Sequence, residues 1–238
     1  MKPGEIKLID LERKVTQKND LLAAEIRERL GRAGVYALNL LSAPGAGKTT
    51  LLERTLPLLM AAGQSSSGPS FRPLVVEGDL MTQNDAERIA RLGVPSVQIQ
   101  TRGACHLDSR MVGSALEGVD LAAIDLLLIE NVGNLVCPTG FDLGENAKVV
   151  IASVTEGADK PAKYPYIFER AAAVVLNKID LLPHVPFEMN AFTRSLRSVN
   201  SSAPLLLLSC TTGEGLEAWC GWIRRQAADS VYAGRPNR

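Results

Sequence analysis

The chain has 238 residues, 46% hydrophobic and 22% charged, with 26 Lys and Arg balanced by 26 Asp and Glu. That length suits one large α/β domain, and the balanced charge excludes a globally basic nucleic-acid binder or an electrostatic membrane binder. No apolar run is long enough to span a bilayer, Met1-Lys2-Pro3-Gly4-Glu5 does not read as a secretion signal, and four cysteines make no disulfide scaffold, so a reducing cytoplasm is the expected setting.

In chain order, residues 1–16 are charged and weakly periodic. Leu21, Leu22, Ile26 and Leu30 then recur at helical spacing, predicting a packing helix capped by Asn19 or Asp20 and ended at Gly31 and Gly34. The segment from Leu38 to Leu52 organises the rest: a buried strand (Val35 to Leu41), a small-residue loop (Ser42 to Gly47) and a helix opened by Lys48-Thr49-Thr50. This is the phosphate-binding pattern G-x-x-x-x-G-K-[ST] with Ser42 at the first glycine position. Gly45, Ala46 and Gly47 can turn successive N–H groups around an anion, and the helix N-terminus at Lys48, Thr49 and Thr50 adds its amides. Lys48 can reach the β- and γ-phosphates, and the Thr49 hydroxyl can ligate Mg²⁺. Pro57 is expected to kink that helix or mark its last turn, and Gly63 to Ser70 reads as a polar surface loop.

A second strand, Leu74 to Val76, leads to Glu77-Gly78-Asp79, placing Asp79 where ligands bind in open α/β sheets, as a candidate for Mg²⁺ directly or through water. A helix over Thr82 to Leu92, a strand over Pro95 to Ile99 and a helix from Ser109 to Leu116 follow. Ile124 to Ile129 is nearly all apolar, as suits a strand buried on both faces. It ends in Glu130-Asn131-Val132-Gly133, an acid-x-x-Gly element whose Glu130 carboxylate would hold Mg²⁺ or its water and whose Gly133 N–H would sense the γ-phosphate. After a strand over Val149 to Val154, Thr155 to Pro165 reads as a polar loop, with Asp159, Lys160 and Lys163 facing nucleotide, a second subunit or solvent. A strand over Ala171 to Leu176 delivers Asn177-Lys178-Ile179-Asp180. This N-K-x-D is a guanine reader: the Asp180 carboxylate accepts from guanine N1–H and the N2 amino group, and adenine offers no matching pair. A helix follows Pro183 and Pro186. Beyond a last strand, Leu205 to Leu208, the amides of Ser209, Cys210 and Thr211 are placed to meet guanine O6. The closing helix is expected over Glu217 to Ala228.

The predicted fold is therefore a three-layer α/β P-loop NTPase domain over 35–228, a mainly parallel central sheet flanked by helices. An N-terminal helical extension (1–34) precedes it, and a tail (229–238), disordered at its end, follows. Lys48, Asp79 and Glu130 are the catalytic candidates for GTP hydrolysis. The residue after Gly133 is Asn134, not a water-orienting Gln, so slow intrinsic hydrolysis is expected.

A second chemistry is written in Cys105-His106 and in Cys137, which lies four residues past Gly133. Two thiolates and an imidazole suit Zn²⁺ or Ni²⁺ better than Mg²⁺. Cysteine is equally a small buried hydrophobe, and no spaced Cys-x-x-Cys motif is present, so residue types alone leave both readings open. Cys210 and Cys220 fit the apolar role.

In order, SAPGAGKTTLL, VEGDLMTQNDAERI, ACHLDSRMV, IENVGNLVCPTGFDLGE, VVIASVTEGADKPAKYP and LNKIDLLP closely resemble the HypB family of hydrogenase nickel-incorporation GTPases, from about Val35 to about Pro183. Its relatives include the urease chaperone UreG and other GTPases and ATPases that dimerise with nucleotide between subunits. The resemblance implies a GTP-dependent homodimer that passes nickel to the large subunit of [NiFe]-hydrogenase, working with a HypA-like zinc protein. It places the family's G-domain Ni²⁺/Zn²⁺ site on Cys105, His106 and Cys137, guanine specificity on Asn177, Lys178 and Asp180, and phosphate and Mg²⁺ roles on Gly45, Gly47, Lys48, Thr49, Asp79 and Glu130. The chain carries neither the N-terminal Cys-x-x-Cys-Gly-Cys site nor the histidine-rich run of some members, so a nickel-storage role is not expected. Ala104 stands where many relatives have Gly. A chaperone for urease or a cobalamin enzyme is the alternative, although the Cys-Pro-His of urease chaperones is absent. A small-molecule kinase would gain nothing from N-K-x-D, and the intact Lys48-Thr49 argues against a vestigial nucleotide site.

Overall fold

The computed structural model describes residues 11–61, 70–79 and 84–234. Most of the expected loop Gly63 to Ser70, the start of the helix expected from Thr82, the first ten residues and the last four lie outside the described residues. Seven strands are defined: β1 (Tyr36–Ser42), β2 (Pro73–Asp79), β3 (Ser96–Gln100), β4 (Leu126–Glu130), β5 (Ala147–Ser153), β6 (Ala173–Asn177) and β7 (Leu205–Leu207). They form one sheet in the order β3-β2-β4-β1-β5-β6-β7, and every neighbouring pair is parallel.

The helices are α1 (Leu11–Ala33), α2 (Lys48–Met60), α3 (Asn84–Ala90), α4 (Ser109–Ala115), α5 (Lys160–Lys163), α6 (Pro165–Glu169), α7 (Met189–Val199) and α8 (Leu216–Gly234). Alternation along β1 sorts them into two layers. Leu38 and Leu40 pack with Leu51, Leu52 and Leu56 of α2 and Trp219 and Ile223 of α8 on one face. On the opposite face Ala37 joins Ile26 and Leu30 of α1 and Val112 of α4, while Leu41 joins Phe168 of α6 and Phe192 and Leu196 of α7. The three layers match the predicted architecture, and the mainly parallel sheet is parallel throughout. On the first face, Trp219 Nε1 donates to Thr55 Oγ1 at 3.0 Å, and Trp222 stacks on Trp219 at 5.6 Å.

Three expectations change. Asn19 does not cap α1, which begins at Leu11 and carries Asn19 in its interior with the side chain 6% exposed. The loop expected over Thr155 to Pro165 contains α5 and the start of α6, each with a proline in its first turn, where a missing N–H costs nothing. The closing helix runs on to Gly234, into the segment expected as tail. Pro57 lies in the last turn of α2.

α1 packs into the body of the domain. Gly144 adopts φ +86°, and a Cβ there would sit 2.6 Å from Ile26 Cγ2 and 2.9 Å from the Ala23 carbonyl. Gly144→Ala combines backbone strain with overpacking and is expected to cost roughly 2–4 kcal/mol. Urea denaturation checks this as a lower midpoint at unchanged slope.

Candidate functional site

The phosphate loop leaves the carboxyl end of β1 between β4 and β5, where the strand order reverses, the position at which open α/β sheets bind ligands. Gly47 adopts φ +98°, and a Cβ there would lie 2.6 Å from Asn177 Nδ2, so only glycine fits. Lys48 Nζ donates to Ser42 Oγ at 2.9 Å and lies 4.0 Å from Glu130 Oε1. The Ser42 hydroxyl in turn donates to the Ala43 carbonyl at 2.6 Å. The departure from the glycine pattern thus supplies an acceptor that aims the lysine. Thr49 Oγ1 donates to Glu130 Oε1 at 2.8 Å, joining the loop to the end of β4.

Around this loop is a cleft of about 490 Å³ lined by Gly45, Lys48, Thr50, Asp79, Glu130 and Gly133 among others. Glu77, which pairs in register with Glu130, and Arg88 also line it, and neither stood out in the sequence. Arg88 grips Glu53 through two nitrogens at 2.9 and 2.6 Å and donates to Thr50 Oγ1 at 3.3 Å. Such pairings between separate helices leave no local sequence signal. The Thr49 hydroxyl, bonded to the Glu130 carboxylate, with Asp79 lining the same cleft, offers hard oxygens of the kind that suit Mg²⁺. Gly133 lies against the phosphate loop: a Cβ there would meet Pro44 Cα at 3.0 Å.

The N-K-x-D turn closes the cleft on the β6 side. Asn177 Nδ2 donates to the Ala46 carbonyl at 2.9 Å, and its Oδ1 accepts from Lys178 N at 2.7 Å and Cys210 N at 3.3 Å. Lys178 adopts φ 63° and donates from Nζ to the Gly45 carbonyl at 2.8 Å, laying its stem across the loop. Asp180 Oδ1 is sealed from solvent with no hydrogen-bond partner among the described residues. A buried orphan acceptor is costly unless a ligand satisfies it, and guanine offers adjacent N–H donors. Ser209, Cys210 and Thr211 form the neighbouring turn, closed by Gly213 N donating to the Ser209 carbonyl at 2.9 Å. Glu156 was not singled out from sequence. Both its carboxylate oxygens are buried without a hydrogen-bond partner among the described residues, and burial raises its carboxyl against the opposing pull of Lys160, Lys178 and Lys48.

The thiols separate into two kinds. Cys210 and Cys220 are buried in the core shared with α2 and α8, and burial pushes each up to about 11. Cys105, His106 and Cys137 come together half-buried, their ligand atoms within 4.8 Å of one another. Cys105 Sγ lies 3.6 Å from His106 Nδ1. A hydrogen bond with Cys137, together with burial, holds the Cys105 thiol above its usual value. Burial lowers His106, favouring the neutral imidazole that can ligate a metal. A soft sulfur–nitrogen donor set half open to solvent fits Zn²⁺ or Ni²⁺.

Both arms of this cluster are tied to the exit of β4. Cys137 follows it along the chain, and the Asn134 side chain accepts from Val136 N at 2.8 Å and Cys137 N at 3.3 Å to shape the turn. The Cys105-His106 arm is held by Leu107, whose N–H donates to Asn131 Oδ1 at 3.1 Å. The Leu107 side chain fills the space left by Gly78, where a Cβ would lie 2.8 Å from it. Asn131 Nδ2 donates to Asn39 Oδ1 and Asn39 Nδ2 to Glu145 Oε1, each at 3.3 Å. Glu145 also accepts from Leu143 N at 2.6 Å and pairs with Lys148. This polar seam runs between the two apolar clusters of the α1 face, and its one sequence signal was Asn39 inside an otherwise apolar strand.

A phosphate-binding loop, an acidic strand end and an N-K-x-D turn on one parallel sheet define a P-loop nucleotide-binding protein, here with a thiol–imidazole cluster attached. The chain belongs to the CobW/HypB/UreG family, whose nucleotide-binding domain matches residues 37–207, and within it to the HypB hydrogenase maturation factors. It is 49% identical to the hydrogenase maturation factor HypB of Azotobacter vinelandii over 95% of this chain and 72% of that one. It is 39% identical to the hydrogenase/urease maturation factor HypB of Helicobacter pylori over 96% of this chain and 91% of that one. The crystal structure of HypB from Helicobacter pylori in complex with nickel superposes with a TM-score of 0.82 at 37% identity, covering 90% of this chain and 97% of that one. Among the described residues, no helix is long and apolar enough to cross a membrane.

Proposed function

We propose that the chain is a cytoplasmic, GTP-hydrolysing nickel metallochaperone for [NiFe]-hydrogenase maturation, with nucleotide-dependent homodimerisation coupled to binding and release of Ni²⁺ or Zn²⁺ at Cys105, His106 and Cys137. The observation that carries it is the junction at β4: Glu130 holds the phosphate-loop threonine while the adjacent Asn131 holds the backbone beside His106. Lys48, the loop amides and Gly133 bind the triphosphate, and Asn177, Lys178 and Asp180 read guanine. Mg²⁺ held by Thr49 with Glu130 and Asp79 would neutralise developing phosphate charge. Asn134 is committed to shaping the Cys137 turn, which supports slow intrinsic hydrolysis. A γ-phosphate that draws Gly133 inward moves both arms of the metal cluster, and hydrolysis relaxes them. A HypA-like zinc protein and the hydrogenase large subunit are the partners of this reading. The Helicobacter relative that carries both enzymes in its name supports a second reading, service to urease as well.

Nickel titration in the presence of GDP and of a non-hydrolysable GTP analogue is the test. Linkage requires that unequal nickel affinities be mirrored by unequal dimerisation with and without nickel. Equal affinities in both nucleotide states would overturn the coupling. For base reading, Asp180→Asn removes a charged acceptor worth about 1.5–3 kcal/mol. GTP should bind roughly ten- to a hundredfold more weakly. A xanthine nucleotide, whose C2 carbonyl can accept from the new amide where the carboxylate repelled it, should instead bind more tightly to Asp180→Asn than to wild type, as competition titration would show.

A further inference from the structure

We propose that Asn19 of α1 is a positioning residue for the cargo metal: it clamps together the two chain segments that carry the ligands, so that α1 is a working wall of the metal site. The inference rests on reading Cys105, His106 and Cys137 as that site. Asn19 Oδ1 accepts from Ser109 N at 2.9 Å, and its backbone carbonyl accepts from Ser109 Oγ at 2.8 Å. Its Nδ2 donates to the Asp142 carbonyl at 2.8 Å. Ser109 lies three residues beyond His106, and Asp142 lies five beyond Cys137. One residue therefore bridges both arms.

The surroundings make this bridge rigid. Asn19 is 6% exposed and Ser109 1% exposed, so water does not substitute for the bonds. Arg27, two turns along α1, grips both carboxylate oxygens of Asp142 at 2.6 Å. Phe141, adjacent to Asp142, lies on the His106 ring at 4.0 Å between centroids. Asn19 thus sets the segment that stacks on one ligand and the segment that carries it. The chemistry requires an amide. An acceptor must face an N–H while a donor faces a carbonyl, which a carboxylate or an aliphatic side chain cannot do. Metal–ligand distances tolerate about ±0.2 Å, so loss of such support is felt in affinity, typically by about 10- to 100-fold.

The experiment uses the full chain and nickel alone, read by affinity and by the thiolate-to-nickel charge-transfer spectrum. Asn19→Ala should weaken nickel binding by about 10- to 100-fold and alter that spectrum. Asn19→Asp, which keeps the acceptor and loses the donor, should fall between Asn19→Ala and wild type. Leu30→Ala removes a buried apolar side chain from the same helix without touching the bridge. Compared at matched loss of urea midpoint, it should leave nickel affinity and spectrum unchanged. If Leu30→Ala weakens nickel as much as Asn19→Ala, or if both Asn19 variants bind like wild type, the positioning role is overturned. If wild type and Cys105→Ala bind nickel equally, the metal-site reading itself fails, and the two failures are distinct.

Discussion

Lys48→Ala should lower affinity for GTP by about 100-fold or more, and for GDP, which has no γ-phosphate, by less. The ammonium is aimed by Ser42 and sits 4.0 Å from Glu130, so it is ordered before any nucleotide arrives. A hydrogen bond to a charged group contributes about 1.5–3 kcal/mol, and a lysine that meets two phosphates makes at least two. The sum corresponds to roughly two to four decades in the dissociation constant. Removing a buried cation from beside Glu130 also costs stability, so the urea midpoint should be measured on the same sample. Fluorescent-nucleotide titration of a folded variant that still binds within tenfold of wild type would show that Lys48 does not meet the phosphates.

Cys105→Ala and Cys137→Ala should each weaken nickel binding by roughly two to four decades, because removing one soft ligand of three forfeits a large share of a soft-metal site's binding energy. The two should not add in a double variant, since a single residual ligand holds nothing further to lose. Wild-type affinity should rise with pH. The metal takes thiolates, and the hydrogen bond with Cys137 together with burial holds the Cys105 thiol above its usual value. Protons must therefore leave on binding, and apparent affinity should climb about tenfold per pH unit for each thiol still protonated. His106 is shifted the other way, toward the neutral form, so it adds no pH dependence above its ordinary range. Isothermal titration across several pH values reads the proton release directly. A flat profile from pH 6 to 9 would mean that thiolates are not the ligands.

The phosphate loop, the apolar strand before it, the acid-x-x-Gly exit and N-K-x-D were all legible because each is local: a short run of residues is its own signal. The three layers and a mainly parallel sheet followed from those motifs, whereas the order of the strands across the sheet emerged only from the structure. What stayed hidden is what two distant residues do together. Asn19 reads as a helix cap because its residue type favours caps, yet its bonds run to Ser109 and Asp142, and tertiary partners outweigh the cap preference. Arg88 drew no reading from the sequence, because its role appears only when Glu53 and Thr50 are placed beside it. The pair Pro161 and Pro165 did carry a usable signal, since proline in a first turn starts a helix, but the polar composition of Thr155 to Pro165 masked it. The thiols could be sorted by residue type only into possibilities. Proximity, with Cys105, His106 and Cys137 within 4.8 Å, is what the residue types could not supply for Cys105 and Cys137.

Both tryptophans of the chain stand on α8, and one is hydrogen-bonded to Thr55 of the helix that begins at Lys48. The sheet lies between that indole pair and the layer bearing the thiol cluster. Intrinsic fluorescence is therefore a native gauge of the nucleotide helix, while ultraviolet absorption from a sulfur-bound ion reports from the far side. Recorded together in one stopped-flow cuvette, the two signals would time phosphate events against metal events on unlabelled protein and reveal which comes first.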